Sequence, residues 1–70
     1  MSEERSTAEI RKWRDDAIEV SAAIVARYVD YAGAGEAEGA IDDILALHSD
    51  PKSARASLAK TRAGALSPNP

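Results

Sequence analysis

The side chains able to hold a metal, shuttle a proton or attack a substrate gather most densely at Asp42, Asp43, His48 and Asp50. Oxygen and imidazole ligands of this kind suit a divalent cation, provided they converge. Their spacing opposes convergence. Side chains share a helix face three or four residues apart, and His48 lies five residues from Asp43 and six from Asp42. The chain has one histidine, no cysteine and no His-Glu-x-x-His pair, so neither a metal site nor a cofactor is expected. Asp50 reads more simply as a helix cap, and His48 as a partner for the dipole at a helix C-terminus.

Ser21 or Ser49 could be grouped with His48 and an aspartate as the residue types of a hydrolytic triad. Nothing in the sequence positions them, and a few short helices offer no pocket that excludes water. No enzymatic activity is expected. Gly33-Ala34-Gly35 and Gly39 superficially resemble a phosphate-binding loop, but no strand pattern precedes them and no Lys-Ser/Thr ends them. Glu36 and Glu38 would repel phosphate, so the glycines read as an interhelical turn.

Arg11-Lys12-Trp13-Arg14 sets an aromatic among cations, as in single-strand nucleic-acid binders. On a helix these charges fan out over about half the circumference. Arg5–Glu9, Arg11–Asp15 and Lys12–Asp16 fall at the i,i+4 spacing of solvated ion pairs. The second half of the chain is segregated. Residues 33–50 contain Glu36, Glu38, Asp42, Asp43 and Asp50 with no Lys or Arg, whereas residues 51–70 contain Lys52, Arg55, Lys60 and Arg62 with no acid. Lys52, Arg55 and Arg62 share one helical stripe, which could contact phosphates. The plainer reading is mutual neutralisation of neighbouring helices.

Three helices must position these groups. Ser6 with Glu9 forms a capping box, residues 7–32 contain no Gly or Pro, and Gly33 supplies a C-terminal stop. This predicts a helix of about 26 residues, close to 39 Å long. Ile10, Trp13, Ala17, Val20, Ile24, Tyr28 and Tyr31 recur at three- and four-residue spacing, a heptad-like seam. A second helix is expected over 36–48, with Ala37, Ile41, Ile44, Leu45 and His48 on its apolar side, forming an antiparallel hairpin with the first. Asp50-Pro51 opens a third helix, expected to end at Gly64 and to pack weakly through Ala54 and Leu58. Residues 1–5 and 64–70 read as disordered tails around a single helical domain over 6–63. The fold class expected is all-α, a helical bundle completed by oligomerisation.

Composition explains the need for completion. Of 70 residues fifteen are alanine, while Ile, Val and Leu together number twelve and Phe is absent. A chain so short, with so little bulky apolar surface, balances burial against chain entropy near zero. Without cysteine, disulfides cannot help. No eighteen-residue apolar run and no secretory leader pattern is seen, so a soluble cytoplasmic protein is expected. The function expected is a small, non-enzymatic protein–protein interaction protein of adaptor or regulatory type. Its partner would be a second copy of itself or a larger protein, engaged through the helix-one seam. The alternatives are a DNA- or RNA-binding regulator using Lys52, Arg55 and Arg62, and a structural component of a larger assembly.

Overall fold

Helix α1 spans Thr7–Ala32 in a computed structural model that describes residues 6–66, with side chains to residue 64. Its ends follow from the local chemistry. The Ser6 hydroxyl oxygen accepts from the Glu9 N–H at 3.0 Å, and Gly33, at φ 71° and ψ 29°, turns the chain left-handed while its N–H reaches the Val29 carbonyl. A side chain would be strained at that φ, which is why glycine stands there.

The next segment is shorter and tighter than its periodicity predicts. Gly35–Ala37 is a single 3-10 turn, and helix α2 runs only over Glu38–Leu45. No side chain caps either start, so the Ala37 N–H closes onto the Ala34 carbonyl instead. At the far end the Leu47 and His48 amides take the carbonyls of Ile44 and Leu45, three residues back. That tightening ends the helix before His48, so His48 lies in the turn and the dipole explanation for it falls.

Helix α3 spans Pro51–Leu66. Asp50 caps it as expected, its Oδ1 accepting from the Ser53 N–H at 3.3 Å and its carbonyl from Ala54. Gly64 does not stop it. Only Gly33 has a positive φ among the described residues, and Gly64 is carried through the helix between two alanines, at a cost of about 1 kcal/mol. Residues 64–66, expected to be tail, are therefore helical. Residues 1–5 and 67–70, and with them the Arg5–Glu9 pairing, lie outside the described residues.

All described regular elements are helical. Their shared core consists of Ala22, Ala26 and Val29 of α1, Ile41 and Leu45 of α2, and Ala54 and Leu58 of α3. It is a core of small residues. Leu45 is the one large side chain of the described residues that is fully enclosed, and three of the seven members are alanines. Burial of apolar area at about 25 cal/mol per Å² gains little from alanine. Ala54 and Leu58 are the apolar anchors expected for α3, and they place it in the same core as α2.

Candidate interaction surface

Helix α1 carries two apolar faces. Ile18, Ala22, Ala26 and Val29 are buried. With successive residues 100° apart, they centre nearly opposite the row Ile10, Trp13, Ala17, Val20, Ile24, Tyr28 and Tyr31. All seven residues of that row are exposed. The larger ones expose between 49% (Trp13) and 67% (Tyr31) of their surface. Intrachain packing therefore uses one side of α1 and leaves the predicted seam facing outward, continuous over about six turns. Leu47, in the turn after α2, is a further exposed large apolar residue, away from this row.

Polar contacts fix the position of α1 against the rest. The strongest set centres on Arg62. Its Nη2 and Nε donate to the two carboxylate oxygens of Asp30, at 2.6 and 3.0 Å, while Nη1 donates to Glu38 at 2.9 Å. One guanidinium thus joins all three helices in a bidentate, charge-assisted arrangement. The hydrogen bonds from Arg62 outweigh partial burial and hold the Asp30 carboxyl below its ordinary range. Asp30 and Glu38 in turn raise Arg62 further above its ordinary value.

A second set closes the other end. His48 Nδ1 accepts from the Asp50 N–H at 2.9 Å, so the ring proton sits on Nε2, 2.7 Å from Glu19 Oε2. The Ser49 N–H donates to Asp15 Oδ1 at 3.1 Å, and Arg14 donates to the Ser49 hydroxyl. Burial opposes ionisation of Asp15. The hydroxyl and N–H of Ser49, with His48 and Arg14 nearby, outweigh it and lower its pKa. Asp15 is thus used across the fold, with Arg14 Nε 3.9 Å away, and the Arg11–Asp15 pairing is not the one formed. Lys12–Asp16 does form, at 3.0 Å.

The chemistry-bearing residues singled out in the sequence are dispersed. Asp42 faces Arg55 at 3.8 Å, His48 faces Glu19, and Asp50 caps α3. Among the described residues no three His, Asp or Glu side chains converge on a point. Of the basic stripe, Arg62 is bound to Asp30 and Glu38, and Arg55 lies beside Asp42, while Lys52 is exposed. The segregation of charge along the chain thus resolves largely as pairing between helices. An open groove of about 370 Å³ between α1 and α3 is lined by Ala23, Ala26, Arg27, Leu58, Thr61 and the Asp30–Arg62 pair, among others. No described helix is long and apolar enough to cross a membrane. No protein family, curated protein or solved structure matches this chain.

Proposed function

We propose that this chain is a small, non-enzymatic protein–protein interaction protein of adaptor or regulatory type, acting as a homo-oligomer or bound to a larger protein. The α1 seam is its working surface. The observation that carries this reading is the second apolar face of α1: Ile10, Trp13, Val20, Ile24, Tyr28 and Tyr31 are half to two-thirds exposed in one row, opposite the core. Contiguous apolar surface of this kind marks an interaction site, and its aromatics are the residue types that anchor interfaces. The reading takes α1 and α2 as an antiparallel hairpin that leaves the seam open, in a cytoplasmic setting. A DNA- or RNA-binding role draws less support, because two of the three stripe cations are already engaged by acids of the same chain.

The test is mass and helicity in solution for the wild type and for Ile24→Asp. Ile24 lies outside the intrachain core, so the substitution acts on association first. The wild type is expected to run as a discrete small oligomer by light scattering, and Ile24→Asp to weaken that assembly at least a hundredfold, because it places a carboxylate in an apolar contact. An oligomer indifferent to Ile24→Asp would show that the seam is not the working surface. A heterogeneous mixture of sizes would instead favour a structural component awaiting a different protein.

A further inference from the structure

The charge and size pattern along the seam selects a partner and an orientation. We infer that the occupant of the seam is a second copy of this chain, lying antiparallel across a twofold axis that passes between Val20 and Ile24. This rests on the seam being the working surface. In heptad terms Ile10, Ala17, Ile24 and Tyr31 form one column, and Trp13, Val20 and Arg27 the other. A parallel pair sets each residue against itself. It would stack Arg27 on Arg27 within an apolar seam and leave a void between two Ala17 methyls.

The antiparallel pair sets one column against the other. Val20 then meets Ile24, Trp13 meets Tyr31, and Arg27 lies over Ala17 of the second copy, the smallest residue in the row. The Arg27 head reaches Asp16 of the second copy, which flanks that alanine. Arg27 has no ion pair of its own among the described residues, and Asp16 is 57% exposed beside Lys12. The contact occurs twice by symmetry. The same register brings Asp30 towards the second copy's Asp16, but Asp30 is already neutralised by Arg62.

Size supports the same conclusion. A stable pair buries about 800 Å² on each partner, roughly a sixth of the 5145 Å² exposed by this chain. Trp13, Tyr31 and Tyr28, which flanks the columns beside Arg27, are aromatic side chains of 150–250 Å² each; half to two-thirds exposed, they bring on the order of 350 Å². Val20, Ile24, Ala17 and the Arg27 stem extend the strip along about 28 Å of helix.

The experiment is a charge-reversal cycle on the full chain, read as a dimer dissociation constant by sedimentation equilibrium. Arg27→Glu alone and Asp16→Lys alone should each weaken the dimer about tenfold, through two symmetric contacts. The double substitution should return it to within about threefold of wild type. Nitroxide labels supply an independent geometry, since the chain has no cysteine of its own. Labels on Ser21→Cys should lie within about 20 Å of each other, and labels on Ala32→Cys beyond about 30 Å. Failure of the double substitution to rescue, or Ala32 labels as close as the Ser21 labels, overturns the antiparallel pairing while a seam-dependent assembly stands. A wild type that is monomeric and fully helical at tens of micromolar overturns self-pairing altogether. An assembly indifferent to Ile24→Asp overturns the reading beneath it.

Discussion

Arg62 shows how much one side chain can carry in a fold with few bulky residues. Its pairing with Glu38 of α2 follows from the segregated charges, but its link to α1 was not legible. Its partner Asp30 lies 32 positions away, and no local spacing rule reaches that far. The same holds for Glu19–His48 and Asp15–Ser49, which only the return of the chain to α1 brings together. The lowered carboxyls of Asp15 and Asp30 have a measurable consequence. A carboxyl whose folded pKa is depressed contributes stability that is present above its unfolded value, near 3.8, and lost as the pH falls through the folded value. The urea midpoint should therefore hold between pH 7 and about 5 and decline below about pH 4. Asp30→Asn should start lower at pH 7 and show a shallower fall on acidification. A variant as acid-sensitive as the wild type would show that the Asp30–Arg62 contact does not carry the effect.

Helix boundaries were legible wherever a side chain or a left-handed glycine enforces them. Ser6 and Gly33 fix α1 to the residue, and Asp50-Pro51 fixes the start of α3. They were not legible where backbone hydrogen bonding alone decides. The 3-10 turn at Gly35–Ala37, the early end of α2 and the passage of α3 through Gly64 carry no side-chain signal. The cap of α3 gives a prediction at this scale. Asp50→Ala should cost about 1 kcal/mol. Because Ala54 and Leu58 belong to the shared core, the loss should appear in the global unfolding free energy as well as in faster amide exchange over 54–62. An unchanged urea midpoint with local exchange alone would mean that α3 opens independently of α1 and α2.

Across the whole molecule, the seam of α1 was the most legible feature. Its residues follow helical spacing over about six turns, and the structure leaves them exposed. The residues of α1 that make the intrachain core were not legible, since two alanines with a single isoleucine and valine form it in place of the aromatics. Helices pressed together through Ala22, Ala26 and Ala54 approach closely but remove little apolar surface from water. The heat capacity of unfolding measures that surface. Ordinary domains show about 12–15 cal/mol/K per residue, or on the order of 0.9 kcal/mol/K for 70 residues. Calorimetry on the Ile24→Asp chain, with association suppressed, should give a value well below this. An ordinary value would mean that far more apolar surface is sequestered than these alanines provide. With a small heat capacity the free energy of unfolding bends only gently with temperature. The isolated chain should then gain stability almost in proportion to the cooling below its melting point, with no pronounced optimum of the kind that domains with bulkier interiors pass through.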